Sequence, residues 1–384
     1  MKLIFASNYL SHYSRSISEA FIRIYGDDFK FVAFTPFNEK RLSAGFHDMN
    51  DAPFVLRAYE SPQSMNEAMN AINEAECVII GGMPVSCVSE RLKRGKITFM
   101  QSERFFKGPL WKDIVRFAKY CLYSGGRSQA KDAGEKFYLL CAGAFTAWDY
   151  NLCGLFRGKA YRWGYFPELK KYDDIGGLIS RKKPGSILWA GRFLGWKHPE
   201  LSVRLAKNLK AMNFDFHVKI VGSGEMQGSL SRMIEAENLN DCVELTGALP
   251  TERVREEMES SQVFLFTSGR GEGWGVVLNE AMNSGCSVVA GGKIGAVPYL
   301  LKEGYNGLVF RDRDIDDLTA KVAGLFRDSG SASRLGLNAY ETLAGMWSPE
   351  TAARRFVVLA DALKVSDGAV RLWDDGPGSL APVI

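Results

Sequence analysis

The stretch Phe264-Leu-Phe-Thr-Ser-Gly-Arg-Gly-Glu272-Gly-Trp274-Gly275-Val-Val-Leu-Asn-Glu280-Ala-Met-Asn-Ser-Gly285-Cys286 reads as a buried strand, a glycine-rich loop and a short helix. The apolar run ends at Ser268 and the helix begins near Val276. Gly285 stands just past the helix, where a left-handed residue is favoured. Such a loop offers unpaired backbone N–H groups and the positive end of a helix dipole, which together attract a diphosphate. Carboxylates repel phosphate. Glu272 in the loop and Glu280 one turn into the helix are therefore read as acceptors for hydroxyls, of a hexose and a ribose. Gly273, Trp274, Gly275, Val276 and Val277 supply the backbone between them. Anion-binding backbone flanked by two hydroxyl-binding carboxylates describes a nucleotide-sugar pocket. Taken singly, each Glu also fits a solvated helix end, and Trp274 fits either a core plug or the wall of a sugar site.

Short apolar runs alternate with helix-like segments on both sides of this stretch. The runs fall at 2–7, 29–35, 54–59, 77–82, 97–102 and 137–142, then at 186–190, 216–221, 242–246, 263–268, 287–290 and 307–310. Amphipathic stretches lie between them. Runs that are apolar throughout suit strands buried on both faces, and strand–helix alternation implies parallel sheets. The expected class is α/β, with two Rossmann-like, doubly wound domains over 384 residues. Turn-rich composition sets the boundaries: a domain at 1–165, a linker at 166–185 and a second domain at 186–347. A helix at 348–364, capped by Ser348 with Pro349 behind it, follows and is free to cross back to the first domain. The tail 365–384, with Asp-Asp-Gly-Pro-Gly and Ala-Pro, is expected to be poorly ordered.

Open parallel sheets bind ligands at the carboxyl ends of their strands. Ile187-Leu-Trp-Ala-Gly191-Arg192-Phe-Leu-Gly-Trp-Lys197-His198 is again a strand followed by a glycine turn, and it carries two cations to that edge. Arg192 and Lys197 there can neutralise the charge that grows on a leaving diphosphate. Gly222, Gly224 and Gly247 also stand where strands end. They permit a ligand to approach the backbone, or simply form tight turns.

With these residues in view the chain resembles the retaining glycosyltransferases of family 4, which have the GT-B fold of two facing Rossmann-like domains with an interdomain cleft. The likeness is strongest over 186–310: Gly-Arg and Lys, Val-Gly-Ser-Gly-Glu, Leu-Thr-Gly, the Glu272/Glu280 pair and Gly-Tyr-Asn-Gly-Leu. It implies catalytic roles for Glu272, Arg192 and Lys197 and a donor-binding role for Glu280. It implies a UDP-sugar as donor, with a GDP-sugar as the alternative, a hydroxyl of a glycan or lipid-linked saccharide as acceptor, no separate cofactor and no catalytic metal. The first half resembles bacterial surface-polysaccharide enzymes and is the expected acceptor side, with His12 and Arg104 as candidates; Arg104 can equally pair with Glu103. His198 stands where the family usually has Gly, and Tyr299 where it often has Glu. A non-catalytic nucleotide-sugar-binding or scaffold subunit of the same fold is the alternative function.

Composition narrows the remaining choices. No run of about 18 apolar residues is present for a membrane-spanning helix. Seven Cys and four His are scattered, without zinc spacing, so reduced core thiols in a cytoplasmic protein are expected. Asp312-Arg-Asp314 precedes a helix and reads as its cap. Residues 91–119 hold Arg91, Lys93, Arg94, Lys96, Arg104, Lys107, Lys112, Arg116 and Lys119 against Glu103 and Asp113, interleaved with aromatics. No nucleic-acid reading motif accompanies them. The expectation is peripheral contact with an anionic membrane at its inner face.

Overall fold

The computed structural model describes residues 2–37, 48–108, 110–122, 136–366 and 368–384. Two compact units result. One comprises Met1–Glu168 with Trp347–Ile384, the other Leu169–Met346.

In the first unit the apolar runs become β1 (Leu3–Ser7), β2 (Phe29–Ala33), β3 (Val55–Arg57), β4 (Cys77–Gly81), β5 (Thr98–Ser102) and β6 (Phe137–Ala142), with β7 (Ala160–Trp163) added at the edge. The order is β3-β2-β1-β4-β5-β6-β7, and the named pairs are parallel. Helices α1 (His12–Tyr25), α2 (Pro62–Glu74), α3 (Ser89–Lys93), α4 (Leu110–Leu122) and α5 (Thr146–Leu152) connect them.

The second unit holds α6 (Ile175–Ser180), β8 (Lys183–Ala190), α7 (Glu200–Ala211), β9 (His217–Val221), α8 (Gln227–Ala236), β10 (Val243–Gly247), α9 (Thr251–Ser260) and β11 (Ser261–Phe266). It continues through α10 (Val277–Asn283), β12 (Ser287–Gly291), α11 (Val297–Leu300), β13 (Leu308–Phe310), α12 (Ile315–Arg327) and α13 (Ser329–Ala344). Its sheet runs β10-β9-β8-β11-β12-β13, again parallel. The continuous hydrophobicity has its expected cause. Val263, Phe264 and Leu265 of β11 and Val288, Val289 and Ala290 of β12 are each at most 1% exposed, as strands covered on both faces must be.

The final helix, α14 (Pro349–Val365), belongs to the first unit. Ser348 caps it by accepting from the Thr351 N–H. Its Phe356 ring lies 4.9 Å from Phe99, 5.4 Å from Phe21 and 5.8 Å from Trp163.

Three expectations are corrected. The segment 166–185 is no free linker. Lys170 and Asn283 exchange two hydrogen bonds of 2.9 and 3.0 Å, Tyr172 donates to Glu259, and α6 and the start of β8 fall inside it. The tail is laid along β7, with Arg162 N–H to Ser379 O at 2.7 Å and Ala381 N–H to Ala160 O at 2.9 Å. Its Asp-Gly-Pro-Gly sequence makes a turn, fixed where Asp375 pairs with Arg162 and accepts from Arg355 through its carbonyl. An exposed sheet edge is thereby covered.

The basic segment is the third. Arg91 is fully buried and donates to the carbonyls of Ile72, Ala75, Glu76 and Ile97. Arg104 is buried as well, Lys96 pairs with Glu74, and Lys107 pairs with Glu103. Arg91 and Arg104 are therefore spent inside the fold, whereas Lys93, Arg94 and Lys112 remain exposed. Among the described residues no helix is long and apolar enough to cross a membrane.

Candidate active site

The strand order of the second sheet reverses between β8 and β11, and a crevice opens at the carboxyl ends of strands at such a point. Gly191 and Arg192 follow β8, and Thr267 and Ser268 follow β11. The two loops are stitched together. The Thr267 hydroxyl accepts from the Trp189 indole at 2.8 Å and lies 2.8 and 2.9 Å from the carbonyls of Lys197 and His198. Gly269 N–H donates to Trp196 O at 2.9 Å. His198 sits at φ +51°, a left-handed conformation that Gly adopts most cheaply, and its Nδ1 is 2.9 Å from Glu200.

This stitching brings Lys197 and Glu272 together. Lys197 Nζ lies 2.7 Å from Glu272 Oε2, to which Ser268 Oγ also donates at 3.0 Å. The two side chains are 14% and 13% exposed, enough shielding to strengthen the pair while leaving it reachable. Arg192 is exposed. Glu280, in the first turn of α10, is half-buried as well. Burial pushes its carboxyl pKa up, against the pull of Arg255. No hydrogen bond to that carboxylate is found among the described residues. A half-buried carboxylate in this condition is a ready acceptor for ligand hydroxyls.

Residues 173–342 match the model of the family described as glycosyl transferases group 1. This part of the chain is similar to the glycosyl transferases group 1. The amylovoran biosynthesis glycosyltransferase AmsK of Erwinia amylovora is 28% identical over 185 residues, 45% of this chain and 44% of its own. The GDP-mannose-dependent alpha-(1-6)-phosphatidylinositol monomannoside mannosyltransferase of Mycobacterium tuberculosis (strain H37Rv) is 31% identical over 156 residues, 39% of this chain and 40% of its own. Both matches span less than half the length of the relative. The crystal structure of Anabaena HepE in complex with UDP superimposes with a TM-score of 0.67 at 14% identity, covering 94% of this chain and 100% of that one. The fold is that of the GT-B glycosyltransferases.

Within the matched region the glycines act mainly on the backbone. A Cβ on Gly222 would stand 1.8 Å from Gly191 O, and one on Gly224 2.7 Å from Phe193 O. These glycines let the loops after β8 and β9 stack, with Gly222 N–H donating to Gly247 O at 2.8 Å. Trp274 is a correction. It is 1% exposed, its indole donates to Asn279 at 2.9 Å, and its ring stands 6.3 Å from Tyr299. The side chain is a core plug, so only its backbone remains for a donor. Gly275, at φ +91°, leaves room for the Phe266 ring that a Cβ would strike at 2.3 Å. Gly273 O is packed against Gly295, and Val276 and Val277 open α10. Asp314 caps α12 by accepting from Asp316 and Asp317. Sequence reasoning passed over Ser268, Thr267 and Arg255. Ser268, the last residue before the glycine loop, was the one with a readable position.

In the first unit His12 opens α1, its ring 3.7 Å from that of Tyr13. Arg104 is corrected from acceptor contact to internal strut. It is 8% exposed, lies 3.1 Å from the fully buried Asp149, and covers the Phe145 ring. Asp149 also accepts from the N–H groups of Phe105 and Phe106 at 3.0 Å each. Burial raises the Asp149 pKa while Arg104 opposes the rise.

Proposed function

We propose that the protein is a retaining glycosyltransferase that moves a sugar from a UDP-sugar to a hydroxyl of a glycan or lipid-linked saccharide during surface-polysaccharide synthesis. The observation that carries this reading is the Lys197–Glu272 pair at the β8/β11 crevice, with the carboxylate of Glu280 in the same loop-and-helix unit. An arriving diphosphate competes for Lys197 and joins it to Arg192. Glu272, released from its cation, is left to accept from sugar hydroxyls, and Glu280 accepts from the ribose. The bond between the sugar's anomeric carbon and the phosphate oxygen breaks as a bond to the acceptor oxygen forms on the same face. The acceptor proton passes to the departing phosphate oxygen. Arg192 and Lys197 stabilise the charge that accumulates there, work that other transferases give to a metal. The UDP held by Anabaena HepE favours uridine in the donor, and the mycobacterial relative's name keeps GDP-mannose in the trial set.

The test is a panel of UDP- and GDP-sugars with released-nucleotide readout, run with lipid-linked acceptors extracted from bacterial cells. Turnover with one donor and an α-linked product from an α-donor is expected. Nucleotide binding without turnover on any pair supports a binding subunit instead.

Peripheral attachment to the inner, anionic membrane face is part of the same proposal. Its support has shifted from charge to apolar exposure: on α4, Trp111, Ile114 and Val115 are 64%, 57% and 59% exposed, beside the exposed Lys112. Co-sedimentation with anionic vesicles that Trp111→Glu abolishes is expected. Equal, negligible binding to anionic and neutral vesicles rejects attachment.

A further inference from the structure

Lys197 has a second neighbour besides Glu272. Its ammonium stands over the face of the Trp196 ring, 4.6 Å from the ring centre. The ring is 37% exposed, whereas the Lys197 side chain is largely shielded. Two adjacent residues can meet in this way by chance, but here the ring is also fixed from the opposite loop. The Trp196 carbonyl accepts from the Gly269 N–H at 2.9 Å. Gly271 lies against the indole, so that a Cβ there would stand 3.4 Å from Cε3 and 3.5 Å from Cδ2. Gly269 and Gly271 belong to the loop that leads to Glu272, whose N–H donates to Gly269 O at 3.0 Å. The indole is thus seated between the loop that carries the ammonium and the loop that carries its carboxylate. Gly195–Lys197 forms one tight turn, in which Lys197 N–H donates to Leu194 O at 2.9 Å. Ring and amine therefore leave the chain from fixed, neighbouring positions.

The two partners of the ammonium differ in kind. Glu272 is an anion, and an arriving diphosphate competes with it for the same N–H groups. An aromatic face carries no net charge and offers a diffuse negative potential, so it holds a cation without repelling phosphate as a carboxylate does. A lysine has need of such a hold. Its charge sits at the end of a flexible four-carbon stem and lacks the rigid fork of an arginine. Once the carboxylate lets go, an unsupported stem can swing away from the oxygen on which charge grows, and the advantage of a preorganised cation is lost.

We propose that Trp196 is a positioning residue, whose indole face retains the Lys197 ammonium when a diphosphate draws it from Glu272. The choice of ligand rests on the nucleotide-sugar reading above; the contact between ring and ammonium does not.

The experiment measures UDP affinity by titration calorimetry on the full chain, together with kcat and donor KM. Mono-, di- and trifluorinated tryptophan are placed at position 196 by nonsense suppression. Each fluorine withdraws electron density from the ring face and weakens its hold on a cation, with little change in shape. UDP affinity and kcat are expected to fall stepwise with fluorine number. Donor KM should move less, since the departing diphosphate carries more charge than the intact donor. Trp196→Leu is expected to weaken UDP roughly two- to thirtyfold, the span of a partly shielded cation–π contact, and Trp196→Phe to recover part of that loss. In a Lys197→Met background neither fluorination nor Trp196→Leu should have a further effect, because the cation they act through is gone. A packing role alone predicts a loss with Leu, a flat fluorine series and the same loss in Lys197→Met. That result, or affinity that rises with fluorine number, overturns the proposal. A graded UDP response in a protein that transfers no sugar removes the transferase reading and leaves the proposal standing; sugar transfer with a flat series does the reverse. A wild type that binds neither UDP, GDP nor inorganic pyrophosphate overturns both.

Discussion

The crevice between β8 and β11 and the pocket between β1 and β4 occupy the same topological position in two parallel sheets, yet they carry opposite chemistry. The first presents Arg192 and a Lys197–Glu272 ion pair. The second presents serines, amides and tyrosines around one carboxylate. The shared fold supplies only the opening at the strand ends; the residues just beyond them decide which ligand enters. Cations suit the charged end of a nucleotide-sugar.

The largest expected effect tests which arginines serve ligands and which serve the fold. Arg104→Ala leaves Asp149 buried without its cation, a loss of about 3–5 kcal/mol for a broken buried pair. A sharp fall in melting temperature is expected, with an unchanged acceptor KM in whatever folded protein remains. A raised KM at unchanged stability would return Arg104 to the ligand side. In the other unit, Arg192→Ala is expected to lower kcat by on the order of 10²–10³ with little change in melting temperature, as when one preorganised charge donor is lost. Lys197→Ala should match it in kcat. A chelator is expected to leave the wild type unaffected; activity lost to EDTA and restored by magnesium would break the assignment of these cations.

What was legible in the sequence follows from range. Strands covered on both faces show as continuous apolar runs, so the sheets and most helices could be read locally. Lys197 and Glu272 lie 75 residues apart, and their pairing depends on the Thr267 stitch between loops. The same holds for Arg91 and Arg104, whose buried carbonyl and carboxylate partners sit at a distance in the chain. The glycines around Trp274 leave both of its readings open, since Gly275 admits the Phe266 ring, a contact invisible in the sequence. Helix α13 went unread since Ser-Gly-Ser-Ala-Ser has little helical propensity. Its Gly336 is required by the Gly285 carbonyl, which a Cβ would meet at 2.4 Å.

Glu280→Ala comes next in size. A site built around a ribose hydroxyl loses about 1–3 kcal/mol when its acceptor is removed, so donor KM is expected to rise roughly 5- to 150-fold with kcat less affected. An equal fall in kcat at unchanged KM would move Glu280 from donor binding to the reacting centre.

The smallest effect concerns the same residue in the absence of donor. Burial raises the folded-state pKa of Glu280 above its unfolded value, so the folded protein holds that proton more tightly than the unfolded chain does. Its contribution to stability is therefore most favourable at low pH, where the carboxyl is neutral in both states. That contribution declines as pH rises through the ordinary carboxylate range and above, where the buried group must ionise. Glu280→Gln removes this dependence while keeping the shape. The variant's melting temperature, relative to wild type, is expected to be higher at pH 8 than at pH 5. Adding donor nucleotide should shrink the difference at pH 8, because ribose hydroxyls then solvate the wild-type carboxylate and the amide gains less from them. A constant offset between variant and wild type across this range would mean that Glu280 is fully solvated, and the contrast between its carboxylate, which among the described residues has no cation on it, and the paired Glu272 would fall with it.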